Sequence, residues 1–178
     1  MFSKIVPDGR LFAGMGSSSD YHHLMEKPVN VIAKLLTRGD ICLDVDVSEK
    51  QQMFEQVGLL MEQRHGLAHD FVTRGLARRE AVGSTGLGQG VAIPHVRLKG
   101  LNQSQALYLR PKRPLPFDAP DGMPVTDFLV LLVPEPASSE HLEILAEAAR
   151  LFSDSRFREQ LRACAGAGEV IRLFDTWS

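Results

Sequence analysis

Cysteine is scarce in this chain: Cys42 and Cys164 are the only two among 178 residues. They are too few for a disulfide framework and show no metal-ligand spacing, so they read as two ordinary reduced thiols. Charge of one sign is also lacking. Twenty Lys and Arg against 22 Asp and Glu leave a formal net charge of −2. With no Lys/Arg run either, there is no electrostatic case for nucleic acid. No stretch approaches the ~20 apolar residues of a membrane span, and the first residues lack a signal-peptide apolar region. The expectation is a cytoplasmic protein with no membrane insertion. What is present is ordinary globular composition, 44% hydrophobic and 24% charged, in a length that supports one good core without forcing two.

Residues 1–28 have weak periodicity and a Gly16-Ser17-Ser18-Ser19 cluster. They are expected to form a partly disordered N-terminal extension ahead of a domain over 29–178; Met25 could equally be an internal start. Beyond the extension, alternation and apolar runs predict strands near 41–45, 91–93, 106–109 and 128–133. The last is a continuous apolar run bounded by Pro134 and Pro136, the pattern of a strand buried on both faces. Helices are expected over 29–36, after a capping box from Ser48 to Gln51, and after Asp70 as a cap with Phe71 and Leu76 inward. Three more should follow. The first is capped by Ser138 or Ser139 with the apolar line Leu142, Leu145, Ala149 and Phe152, the second starts at Asp154, and the third runs over 170–177. Helices interleaved with strands imply an α/β fold, a central sheet covered by helices on both faces.

The richest stretch is Gly83-Ser84-Thr85-Gly86-Leu87-Gly88-Gln89-Gly90-Val91-Ala92-Ile93-Pro94-His95. Pro94 lacks a backbone donor and biases Ile93 toward extended backbone, so a strand should end at His95. No lysine follows the glycines and no helix opens after them, which removes both the Walker loop and the dinucleotide fingerprint. The glycines can instead let backbone N–H groups and the hydroxyls of Ser84 and Thr85 approach a phosphate, or they can serve only a tight turn. A neutral imidazole at His95 can attack phosphorus through one free ring nitrogen, or the residue can be a strand-end histidine hydrogen-bonded into its loop. Arg79, at the preceding helix end, can bind phosphoryl oxygens or be a solvated residue favoured by the helix dipole. His141, in a first helical turn, can be an exposed residue without a role, a neutral donor to a phosphoryl oxygen, or the group that holds the His95 tautomer. His65 and His69 are interrupted by Gly66 and lack a third ligand, so no metal site is expected.

The motif from Arg79-Glu80 through Gly83-Ser84-Thr85-Gly86 and Gly90-Val91-Ala92-Ile93-Pro94-His95, followed by His141-Leu142-x-x-Leu145, resembles the enzyme IIA family of the phosphoenolpyruvate phosphotransferase system. The segments Phe117–Val125 and Leu131–Pro134 narrow the resemblance to the nitrogen-regulatory branch, related to the mannitol/fructose IIA domains. It spans about residues 29–177. The resemblance implies a mixed sheet sandwiched by helices and makes His95 the phosphoryl acceptor. It places Arg79 and His141 beside His95 and has Ser84, Thr85 and Gly86 shape the pocket. The implied donor is an HPr-like phosphohistidine carrier, with no metal, nucleotide or other cofactor. The implied outputs are regulatory targets in nitrogen, carbon or potassium metabolism, including potassium-transport or sensor proteins. A sugar-specific IIA transport component and a non-catalytic interaction module of the same fold are the alternatives. Val96 stands where that family commonly has glycine, so a different loop geometry is expected just after His95.

Overall fold

A computed structural model describes residues 30–136 and 138–177. The expected extension over 1–28 lies outside the described residues. Six strands form one mixed sheet: β1 (Ile41–Val45), β2 (Gly86–Gly88), β3 (Val91–Ala92), β4 (His95–Leu98), β5 (Gln105–Pro111) and β6 (Asp127–Pro134). The order is β1-β5-β6-β3-β2, with β4 pairing β6 beyond β3. β1 runs parallel to β5, and both β3 and β4 run parallel to β6. β5 with β6, and β2 with β3, are antiparallel.

β6 is the central strand, and its side chains explain the layers. Leu129 and Leu131 enter a core shared with Tyr108, Ile144, Leu151, Phe157 and Phe174. Phe128, Val130 and Leu132 enter the opposite core with Phe54, Val57, Leu76, Leu107 and Phe117. Period-two alternation along the apolar run 128–133 of this strand feeds both faces, as the unbroken run implies. The first core is closed by α1 (Val31–Leu35), α4 (Ser139–Ser153), α5 (Ser155–Ala163) and α6 (Ala167–Thr176); the second by α2 (Lys50–His65) and α3 (His69–Val82). Each fully buried Leu or Phe contributes roughly 1.5–3 kcal/mol of transfer free energy.

Several caps differ from expectation. Asp154 does cap α5, accepting from the Arg156 N–H. The capping box is displaced: Gln52, not Gln51, bonds the Ser48 N–H, and Glu49 occupies the cap position of α2. Asp70 lies inside α3, whose cap is Ala68. Phe71 is 44% exposed and Leu142 61% exposed. The buried stripe of α4 is therefore His141, Ile144, Ala148, Leu151 and Phe152 rather than a line through Leu142 and Ala149. The segment before His95 also changes: the strand stops at Ala92, and His95 opens a new strand instead of ending one.

The glycine motif folds back on itself. Gly88, Gln89 and Gly90 all have left-handed backbone (φ 87°, 56° and 79°). The Gly90 carbonyl then accepts from the Thr126 and Asp127 N–H groups. At Gly86 the reason for glycine is space, since a Cβ would lie 2.9 Å from the Ala119 backbone.

Candidate functional site

His95 is half-buried at the start of β4, paired in register with Leu131. Its Nδ1 lies 2.8 Å from the Ile93 carbonyl oxygen. A carbonyl can only accept, so Nδ1 carries the proton and Nε2 keeps its lone pair. Ile93 itself is pinned, its N–H donating to the Thr85 carbonyl at 3.0 Å, while the Pro94 carbonyl accepts from Leu131. Pro94 therefore sits where no donor is required, between two fixed contacts that aim the ring. Burial pushes the His95 pKa below the ordinary imidazole value. The Ile93 bond opposes that shift, and the nearby Arg79 and Arg97 charges add to it. The ring is neutral at neutral pH, the form a nucleophile needs.

A cavity of about 270 Å³ opens at this imidazole, lined by Arg79, Ser84, Thr85, Gly86 and His95 together with Leu87, Ile93, Leu145 and Ala149. Five of the six expected site residues thus meet there. Arg79, in the last turn of α3, spends one donor on the Gly83 carbonyl at 3.0 Å. This is its only hydrogen bond among the described residues, so the remaining guanidinium donors are free for an anion.

His141, the sixth, is not a lining residue. It lies one turn before Leu145 on α4, and i,i+4 residues share a helical face. It is buried, at 3% exposure, rather than an exposed first-turn residue. Its Nδ1 accepts from the Ser138 N–H at 2.9 Å, which puts the proton on Nε2. That buried Nε2–H has no partner among the described residues. A buried donor left unsatisfied costs about 1–3 kcal/mol, which an incoming acceptor would recover.

Residues 34–177 match the family described as phosphoenolpyruvate-dependent sugar phosphotransferase system, EIIA 2. The chain belongs to that EIIA 2 family. A nitrogen regulatory protein of Pseudomonas aeruginosa is 36% identical over 143 residues, covering 80% of this chain and 93% of that protein. The crystal structure of nitrogen regulatory protein IIA-Ntr from Neisseria meningitidis matches with TM-score 0.77 at 45% identity, covering 80% of this chain and 98% of its own. IIA mannitol from Escherichia coli, at TM-score 0.66, 17% identity and 78% and 98% coverage, is alike in fold alone. The Pseudomonas and Neisseria proteins carry the name of the nitrogen-regulatory branch that the motif suggests. No helix of the described residues is long and apolar enough to cross a membrane.

In this EIIA 2 domain the hydroxyl protons of the two cavity-lining residues Ser84 and Thr85 are engaged by the protein itself. Ser84 Oγ donates to the Phe117 carbonyl at 2.8 Å and Thr85 Oγ to Glu80 at 2.7 Å. The N–H groups of Gly83, Thr85 and Gly86 are likewise used internally. Ser84 and Thr85 thus shape the loop, and Arg79 is the one charged side chain besides the imidazole in the lining of the cavity. Val96, moreover, lies in regular β4 and has no left-handed backbone. A β-branched residue suits that position.

Sequence reasoning missed Glu80 and Lys50. Glu80 is buried, and one of its oxygens accepts from both the Thr85 N–H (2.9 Å) and Oγ (2.7 Å). Its other oxygen accepts from Lys50 Nζ at 2.9 Å, and Lys50 also reaches Asp118 at 2.9 Å and lies over the Phe117 ring. This clasp ties α2 and α3 to the Ser84–Thr85 loop that lines the cavity and to the loop that carries Phe117 and Asp118. The other end of the glycine motif is held by Asp121, which accepts from the Gln89 N–H, and by Arg162, which donates to the Gln89 carbonyl and to buried Asp127.

Proposed function

We propose that this EIIA 2 domain is a phosphocarrier that accepts a phosphoryl group on Nε2 of His95 from an HPr-like phosphohistidine protein. The observation that carries the reading is the Nδ1–H bond to the Ile93 carbonyl, which leaves Nε2 as the free nucleophile at the cavity. The Nε2 lone pair attacks phosphorus, and the P–N bond to the donor breaks with its electron pair returning to the donor ring. A donor imidazole already protonated on its other nitrogen leaves neutral. The accepting ring becomes a phosphoimidazolium whose Nδ1–H bond to Ile93 then strengthens. Arg79 neutralises the equatorial oxygens in the loose transition state, and the His141 Nε2–H supplies a neutral donor to one of them.

The phosphorylation state of His95 would then control which regulatory proteins bind, since about two added negative charges can remake an interface. The names of the similar proteins support nitrogen regulation as the output; carbon and potassium metabolism, through potassium-transport or sensor proteins, are targets that only the sequence resemblance implies. The non-catalytic alternative rested on Val96, and its extended backbone removes that motive.

The test is intact-mass spectrometry after incubation with phosphoenolpyruvate, an enzyme I homologue and an HPr-like carrier. A single acid-labile phosphoryl shift is expected in the parent and none in His95→Ala. Stoichiometric labelling of His95→Ala would overturn the assignment.

A further inference from the structure

A second and larger concavity, about 590 Å³, lies between α3 and β4, on the other side of Arg79 from the His95 cavity. Its helical wall carries Phe71, Arg74, Arg78 and Val82, spaced along one face of α3. Phe71 is 44% exposed and Val82 86% exposed, which marks them as the apolar ends of a stripe about 16 Å long at 1.5 Å per residue. The strand wall adds Arg97 and Lys99. With Arg79, five cations face this groove against one lining carboxylate, Glu135. Arg74 also has an exposed i,i+4 contact with Asp70 at 3.7 Å. The chain as a whole is net negative, so this is a concentrated local asymmetry, and exposed apolar residues flanking the charges are what a solvated basic face would lack.

We propose that the α3/β4 groove is a docking surface for an acidic amphipathic segment of a partner protein. The stripe sets the recognition: apolar residues on the segment cover Phe71 and Val82, and carboxylates at helical spacing meet the arginines between them. The apolar ends favour a peptide over a nucleic acid, whose backbone would satisfy the cations and leave Phe71 and Val82 in water.

Arg79 lines both cavities and gives the groove a regulatory consequence, which rests on the phosphocarrier reading above. A phosphoryl group on His95 draws the Arg79 guanidinium toward itself and puts about two negative charges within reach of the groove's field, whose screening length is about 8 Å. An acidic segment is therefore held more tightly by the unphosphorylated protein.

The experiment selects peptides from a random display library on the unphosphorylated full chain. The enriched peptides are then measured by fluorescence anisotropy against the parent, the phosphorylated parent, and Arg74→Glu/Lys99→Glu. Both substituted residues are exposed and lie outside the His95 machinery. Acidic peptides with apolar residues three or four apart should be enriched. Their affinity should fall at least about tenfold in the double variant, less in Arg74→Gln/Lys99→Gln, and about tenfold on phosphorylation. Enrichment of neutral or basic peptides, equal binding to the charge-reversed variant, or tighter binding of a single-stranded oligonucleotide overturns the proposal. So does slowed phosphoryl uptake by the folded double variant, which would assign the groove to the donor. If His95 proves not to be phosphorylated, the phosphocarrier reading fails, while charge-dependent peptide binding would still support the groove.

Discussion

Removing the Glu80 carboxylate should loosen the site from beneath without touching a reacting atom. The side chain is 5% exposed, and its partner Lys50 is 25% exposed. Glu80→Ala deletes two charge-assisted bonds to Thr85 and one from Lys50, leaving the Thr85 N–H buried without an acceptor. Truncating one member of such a buried pair costs about 3–5 kcal/mol; with Lys50 able to turn wholly to Asp118, roughly 3–4 is expected. For a chain of this size that corresponds to a fall in Tm of roughly 6–16 °C. Glu80→Gln keeps one acceptor oxygen for Thr85 and loses the ionic bond to Lys50, so about 1–2 kcal/mol is expected. Urea titration of both variants measures the cost, and initial rates of phosphoryl uptake measure the consequence. In Glu80→Gln the rate at saturating donor should fall more than the half-saturating donor concentration rises, because the loop that carries Thr85 also fixes Ile93 and hence the His95 ring. A Glu80→Ala protein within about 1 kcal/mol of the parent would refute the reasoning, since the clasp would then be a solvated ornament.

Two further outcomes depend on pH. Burial, aided by Arg79 and Arg97 against the Ile93 bond, lowers the His95 pKa. Phosphoryl uptake should therefore lose its nucleophile only below the ordinary imidazole value of about 6.5, and the folded state loses stability as pH falls from there, because the unfolded chain protonates first. A ring titration by nuclear magnetic resonance with a midpoint at or above 6.5 would contradict this. Asp40 is buried, which by itself raises its pKa, but bonds from Thr37 and His65 outweigh that and lower it. Its contribution is complete above the ordinary carboxylate pKa and is lost as pH falls through the lower folded value. Asp40→Asn should cost about 1–3 kcal/mol at neutral pH and flatten the acid limb of a denaturation-midpoint profile; a parallel acid limb would contradict it.

What was legible in the sequence was mostly what depends on local chemistry. The β6 run announces burial on both faces because nothing in it is polar, and Asp154 announces a cap because its own side chain makes the bond. The glycine–Pro–His motif is legible as an irregular turn for the same reason, since backbone freedom and a missing donor are properties of single residues, while its reading as a site comes from the family resemblance. Glu80 was not legible. Beside Arg79 it reads as one half of a solvated pair, and only the packing of α2 on α3 brings Lys50 to it across the chain. For Ser84 and Thr85 the sequence leaves two partners open: a hydroxyl in a glycine loop can donate to a ligand or to its own scaffold, and here the Phe117 carbonyl and the Glu80 carboxylate take the protons. The sequence leaves the exposure of His141 open, because it is helix phase, set by Ile144 and Ala148 entering the core, that turns it inward and Leu142 outward.

The central claim is that the Nδ1–H bond to the Ile93 carbonyl leaves Nε2 of His95 as the phosphoryl acceptor. The most direct test is nitrogen–phosphorus coupling by nuclear magnetic resonance on ring-labelled protein phosphorylated by an HPr-like donor. Coupling from phosphorus to Nε2 of His95, with Nδ1 still protonated, is the predicted result. Phosphorus on Nδ1, or on another residue, would contradict the account.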